Sequence, residues 1–178
     1  PCITILNAKD SLRKDMSVGK ALPFLEARVV DENDRTLPPG EVGELTCRGP
    51  NVMQGYHRDP GGTKMAIKDG WLYTGDMARE DHEGFFYIVD RSKDMIISGG
   101  ENIYPREIEE VIITHPAIED VAVIGMPDAV WGESVKAFVV LKEGKAAEEQ
   151  EVIDFCRGYL AGYKKPKEVV FVPSIPKN

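Results

Sequence analysis

Between Asp90 and Asp94 the chain changes its hydrophobic rhythm, and that break limits what it can fold into. Before it, apolar residues come in short runs punctuated by Gly and Pro. Residues 25–30 carry β-branched Val29 and Val30 and lead into the turn-rich stretch 31–34. Residues 37–40 form a second turn and 43–48 a second strand; 85–90 form a third, entered through the turn 81–84. A short helix is expected near 62–67, before the Asp69-Gly70 turn. Short strands with this punctuation predict a small sheet or barrel.

After the break the period lengthens. Pro105 suits the first turn of a helix, where its missing N–H costs nothing. Ile108, Val111 and Ile112 follow at i, i+3, i+4 spacing and make one apolar face. Glu107, Glu109 and Glu110 sit early in that helix, where the macrodipole favours anions, and His115-Pro116 ends it. Strands are expected over 121–126 and 135–142. A helix is expected over 148–160 with Val152, Ile153, Phe155 and Cys156 inward, then a last strand over 168–172. Helix, strand, strand, helix, strand describes a compact α+β unit. The 178 residues allow one domain or two. Six of the eight net negative charges lie from Asp94 onward, which together with the rhythm favours two units joined near 90–93.

Bulk chemistry narrows the function. A net charge of −8 argues against nucleic acid or an anionic membrane as the main partner. Cys2, Cys47 and Cys156 are far apart and form no CxxC pair, which suits a reducing compartment and offers no zinc or disulfide framework. No apolar run approaches the ~18–20 residues that span a membrane, and no signal-like segment is visible, so a cytoplasmic protein is expected. The sequence holds no GxxxxGK, GxGxxG, HExxH or GxSxG motif. His57, His82 and His115 are scattered in turn-like segments and make no metal set.

Two consecutive segments concentrate unusual polar residues: 70–76 (GWLYTGD) and 90–105 (DRSKDMIISGGENIYP). They resemble two signature motifs of the adenylate-forming superfamily, which includes acyl-CoA synthetases, luciferases and peptide-synthetase adenylation domains. The SGGENIYP variant is most similar to fatty-acyl and aryl-CoA ligases. Residues 17–20 (SVGK), 40–45 (GEVGEL), 48–56 (RGPNVMQGY) and 131–133 (WGE) fit the same family in the same order. Peptide-synthetase domains fit less well, since their hinge region usually reads Gln-Val-Lys where this chain has Met-Ile-Ile.

The resemblance implies a fold and a set of roles. The fold is α+β: a small β-rich, barrel-like subdomain over 1–91, the end of a large adenylate-binding domain. A compact α+β lid domain over 92–178 follows, joined by a hinge. Asp76 is implied to accept hydrogen bonds from both ribose hydroxyls of ATP; two carboxylate oxygens suit a vicinal diol, and Gly75 lets the backbone approach. Otherwise Asp76 simply caps a Tyr-Thr-Gly-Asp turn. Arg91 is implied to touch the ribose or phosphate of the nucleotide, a task for a planar multi-donor cation. Its plainer alternative is a surface ion pair with Asp90 or Asp94. Lys93 is implied as the hinge, a position that absorbs backbone rotation without touching substrate; otherwise it is a solvated linker lysine. Gly100 is implied to line the tunnel for the pantetheine arm of CoA, or merely permits positive φ. Trp131, Tyr163 and Lys165 are implied to hold the adenine and phosphates of CoA. Their alternatives are a core tryptophan and a solvated lysine loop.

By resemblance the reaction joins a small-molecule carboxylic acid to ATP, giving acyl-AMP and pyrophosphate. The thiol of CoA then takes the acyl group and releases AMP. Mg²⁺ is implied on the phosphates, with its site upstream of Pro1. Neither end of the sequence looks like a natural terminus, so a C-terminal fragment is expected. No catalytic residue is assigned within it: residues 176–178 (PKN) resemble the start of the family's last motif, whose catalytic lysine falls beyond Asn178. The acid is expected to be a medium or long fatty acid, with an aryl acid or a non-catalytic nucleotide-binding module as alternatives. Oligomeric state is left open, a homo-oligomer included. On its own, the 178-residue chain is expected to form no acyl-CoA.

Overall fold

The computed structural model describes residues 1–176. The chain divides into two compact units, Pro1–Ser92 and Lys93–Asn178.

The first unit opens with a ribbon of β1 (Thr4–Ile5) and β2 (Lys20–Ala21), with the one-turn helix α1 (Ala8–Ser11) between them. The main sheet is antiparallel. It is built from β3 (Glu26–Val30), β4 (Val42–Arg48), β5 (Ile67–Lys68), β6 (Trp71–Glu80) and β7 (Phe86–Arg91). Helix α2 (Pro60–Ala66) precedes β5; Asp59 caps it, accepting the Gly62 N–H at 2.8 Å, and Pro60 occupies its first turn. β6 is the central strand. β4 runs along one of its edges, while the other is shared, with β5 pairing at Trp71 and Leu72 and β7 at residues 76–80.

Alternation decides what each face does. Val29, Leu45, Ala78 and Phe86 pack into one buried cluster, and Leu25, Cys47 and Leu72 into another. On the outer face the Trp71 ring lies between two guanidinium groups, Arg28 at 4.0 Å and Arg48 at 4.8 Å from its centroid. Arg48 is itself bidentate to Glu26. The amino-terminal segment is fastened to the β6–β7 hairpin: Lys14 pairs with Asp81 at 2.6 Å, and the Ser17 hydroxyl donates to the Phe86 carbonyl.

The second unit starts in a 3-10 turn at Ser92–Asp94, which straddles the boundary. A short hairpin follows, β8 (Ile96–Ser98) and β9 (Glu101–Ile103), then α3 (Pro105–Ile112), β10 (Ile118–Asp128), β11 (Gly132–Leu141), α4 (Glu149–Arg157) and β12 (Glu168–Phe171). The sheet runs β10-β11-β8-β9, with β12 parallel to β11. Both helices pack on one face around Ile96, Ile103, Ile108, Val139, Val152 and Cys156. Carboxylates on the helices also bind strand amides. Glu109 accepts from the Val123 N–H at 2.8 Å, and Glu149 from the Val169 N–H at 2.9 Å.

The fold class is α+β, a β-rich unit followed by an α+β unit. The helices expected from the apolar spacing are present, though α4 ends earlier, at Arg157. The structure overturns one local reading and refines two. Residues 73–76 are not a turn: they lie inside the ten-residue β6, because Tyr73 pairs with Thr46 and Asp76 with Arg91 on either side of the unpaired Thr74 and Gly75. The Ser-Gly-Gly loop is the tip of a hairpin whose three-residue strands are too short to show a period. His115 lies in the turn after α3, as read, and is only 6% exposed, its Nδ1 accepting the Ala117 N–H and its ring edge-on to Phe155. The Pro-Lys-Asn reading falls on residues that include Lys177 and Asn178, outside the described residues.

Ile108 is fully buried on the single face that α3 turns to its sheet. Ile108→Ala is expected to cost the second unit about 2–5 kcal/mol, through lost burial and the cavity left behind. Urea unfolding read from signals of that unit measures it.

Candidate functional site

The sequence of β6 cannot keep a regular ladder through Thr74 and Gly75. On β4, Glu44 faces Met77 and Thr46 faces Tyr73, so Leu45 alone stands opposite three residues of β6. Gly75 takes φ +75°, which suits a residue without Cβ. Side chains occupy the hydrogen-bonding groups this frees. The Thr74 hydroxyl donates to the Leu45 carbonyl at 2.7 Å and accepts the Asp76 N–H at 3.1 Å. The Glu44 carboxylate accepts the Gly75 N–H at 2.9 Å.

This bulge delivers Asp76 to the first rung that β6 shares with β7, where it stands opposite Arg91. Arg91 Nε lies 3.6 Å from Asp76 Oδ1. The Asp76 side chain is about one-third exposed and that of Arg91 about two-thirds. An exposed pair at that spacing adds little to stability. It leaves a carboxylate and a guanidinium side by side, able to accept from hydroxyls and donate to anionic oxygens. Arg91 thus faces Asp76 across the sheet with its side chain, while its backbone N–H donates to Asp90 Oδ1 at 2.7 Å. Lys93 is exposed in the 3-10 turn, at the first position of the second unit.

In the second unit, a cavity of about 310 Å³ is lined by Ser98, Gly99, Trp131, Tyr163, Lys165 and their neighbours. The structure thus brings Trp131, Tyr163 and Lys165 together. Trp131 is no core residue: it is 58% exposed, on the turn between β10 and β11. Gly99 and Gly100 turn the β8–β9 hairpin at φ +61° and +86°. A Cβ on Gly99 would come within 2.9 Å of the Trp131 ring, whereas one on Gly100 would meet nothing within 4 Å. Within this unit Gly100 is constrained by backbone conformation, and Gly99 by conformation and space together.

The three lysines of 164–167 divide their roles. Lys164 binds the Glu107 carboxylate at 2.6 Å, tying the loop to α3, and Lys167 binds Asp128 at 2.6 Å. Lys165 has no ion-pair partner among the described residues, and it lines the cavity. Asp128, which does not itself line the cavity, holds two residues that do, Trp131 and Lys167. One oxygen accepts the N–H groups of Val130 and Trp131 at 2.9 and 3.1 Å, and the other takes Lys167. The Lys167 ammonium, followed by those two amides, holds the Asp128 pKa down to about 2.

Sequence reasoning missed Glu44, Thr74 and Asp128. Asp128 carries a readable signal, since an Asp two and three residues before free N–H groups in a turn is an Asx-type acceptor. Glu44 and Thr74 act through the bulge and carry none. Among the described residues no three His, Cys, Asp or Glu are placed together to hold a metal ion. No helix among them is long and apolar enough to cross a membrane.

Comparison with known proteins shows the family. Residues 1–57 match the family described as AMP-binding enzyme, and residues 107–178 match the AMP-binding enzyme C-terminal domain. A long-chain-fatty-acid–CoA ligase of Escherichia coli O6:H1 is 49% identical over 91% of this chain and 29% of the ligase. A feruloyl-CoA synthase of Amycolatopsis sp is 44% identical over 99% of this chain and 36% of the synthase. The solved o-succinylbenzoate CoA synthetase from Bacillus subtilis, in complex with its acyl-adenylate intermediate, superposes with a TM-score of 0.90. It shares 39% identity over 99% of this chain and 36% of that one. The chain spans about a third of the length of these relatives.

The Asp128 hub has a defined pH range. Its carboxyl is easier to ionise folded than unfolded, where it titrates near ~3.9. Its contribution is therefore complete above that value and is lost as pH falls through about 2. Asp128→Asn is expected to lower the urea midpoint of the second unit at neutral pH. The gap to the parent chain should narrow steadily from pH 4 toward pH 2.

Proposed function

The chain belongs to the AMP-binding enzyme family, and from that premise we propose that it supplies the C-terminal part of an ATP-dependent acid–CoA ligase. The observation that carries the reading is the placement of Asp76 and Arg91 on one rung, one residue before the turn that joins the two units. In the ligase, a carboxylic acid attacks the α-phosphate of ATP, forming acyl-AMP and releasing pyrophosphate. The CoA thiol then attacks the acyl carbon, and AMP leaves.

The roles of this chain's residues follow from their chemistry. Asp76 accepts hydrogen bonds from the two ribose hydroxyls, and Arg91 donates to the ribose or phosphate oxygens beside it. Each neutralises the other while the site is empty. Lys93 is the pivot, exposed in a 3-10 turn at the first position of the second unit. The unit over 1–92 is then the end of the large nucleotide-binding domain, and the unit over 93–178 the lid. The cavity of the second unit receives CoA, with Trp131 and Tyr163 offering aromatic faces, Lys165 its unpaired charge to phosphate, and Gly99 a wall for the pantetheine arm; Gly100, next to it at the hairpin tip, is not among the residues that line the cavity. Mg²⁺, where the ligase uses it on the phosphates, is held by residues outside those described. The substrate is a medium or long fatty acid, following the 49% identity to fatty-acid ligases. An aryl acid is the second reading, favoured by the feruloyl-CoA synthase match along nearly the whole chain.

Supplying the ligase that carries this segment with ATP, CoA and a panel of carboxylic acids tests the assignment. Thioester formation is expected to be fastest with long alkyl acids; preference for hydroxycinnamic acids selects the second reading, and no thioester from any acid refutes both. Asp76→Ala is expected to raise the KM for ATP at least about tenfold, the loss of a charge-assisted contact, with folding unchanged by circular dichroism.

A further inference from the structure

We propose that Glu133 is a positioning residue: it fixes the Ser98–Glu101 turn against Trp131 and so sets the shape of the cavity assigned to CoA. The proposal rests on that assignment.

The β8–β9 hairpin is poorly secured by ordinary means. Its strands have three residues each, and it meets β11 through a single ladder pair, Gly132 with Ser98. So short a hairpin is not stable by itself. Its base is anchored by burial, since Ile96 and Ile103 are 1% and 0% exposed. Its outer half has no such anchor, because the side chain of Ile97 points outward and is 51% exposed.

Two bonds hold that outer half. The Gly99 N–H donates to the Trp131 carbonyl at 2.8 Å, and the Ile97 N–H donates to Glu133 Oε2 at 2.7 Å. The second is the stronger kind, a backbone donor on a carboxylate, short and charge-assisted. It replaces a sheet rung that β8 and β11 do not form.

The surroundings of Glu133 are shaped for this geometry. Its other oxygen lies across β10 at Gly125, where a Cβ would sit 3.0 Å from Oε1 and 3.2 Å from Ile96 Cγ1. A side chain at Gly125 would make the Glu133 carboxylate or Ile96 give way by a few tenths of an ångström. On the far side, a Cβ on Gly99 would collide with the Trp131 ring at 2.9 Å. The hairpin tip therefore has one seat, with Trp131 against Gly99 on one side and Glu133 below Ile97 on the other. A shift of the tip moves Ser98 and Gly99, which form one wall of the cavity.

Hydrogen exchange and CoA binding, both measured on the whole 178-residue chain, test this. Glu133→Ala is expected to speed exchange of the Ile97 amide and the hairpin-tip amides by at least about tenfold, while core amides such as those of Val139 and Val152 keep their protection. It is also expected to weaken binding of CoA, measured by calorimetry, by about tenfold. Glu133→Gln, whose amide oxygen can accept the same N–H, is expected to keep both within about threefold of the parent chain. Exchange that does not change in Glu133→Ala overturns the proposal. So does exchange that rises across the whole unit, which marks loss of stability and not loss of a latch. A mobile tip with unchanged CoA affinity also overturns it, provided that Trp131→Ala and Lys165→Ala weaken CoA binding. If those two variants leave CoA affinity unchanged as well, it is the CoA assignment that falls.

Discussion

Strand β6 is left without ladder partners at Thr74 and Gly75, and much of the first unit depends on how that gap is closed. β5 ends its pairing at Leu72, β7 begins at Asp76, and β4 passes the gap with Leu45 alone. Backbone groups stranded in this way normally destabilise a sheet. Here the Thr74 hydroxyl and Glu44 carboxylate take them up, so the gap becomes a fixed bend. The bend decides which residue of β6 starts the rung with β7, and that residue is Asp76. Moving the register by one would turn its carboxylate to the opposite face.

The second unit solves a similar problem with charge. Its loop of three lysines, if all were free, would repel itself and wander. Glu107 and Asp128 each take one, which ties the loop to α3 on one side and to the Trp131 turn on the other. Lys165 is then held at the cavity by its neighbours' bonds, with its own donors open. The arrangement separates the two ion-paired lysines, which fasten the loop, from the one left without an ion pair at the cavity. Composition gives no hint of that division.

Much of the large-scale order was legible in the sequence. The change in period at 90–94 marks where the contacts divide, and Ile108, Ile112, Val152, Ile153 and Cys156 fall in the second core as their spacing requires. Side-chain periodicity is a local signal, and these elements are long enough to show it. What was not legible depended on pairing between distant residues. Residues 73–76 read as a turn because Thr, Gly and Asp favour one, and only β4 and β7 make them a strand. Trp131 read as core or ligand by type alone; its exposure follows from Asp128 holding the turn beneath it. The motif residues stand out in the sequence because several motifs lie in one order. Their supporting residues Glu44, Thr74 and Asp128 do not, because support is a matter of contact across strands and turns.

The outer face of the first sheet has a consequence for observing the molecule. The chain has two tryptophans, and the fold gives one to each unit. Trp71 is partly buried between two guanidinium groups, while Trp131 stands largely in solvent at a cavity rim. Their emission should therefore differ in colour and in access to a soluble quencher. The protein carries an intrinsic optical label in each half, and the two halves can be followed separately in one unmodified sample.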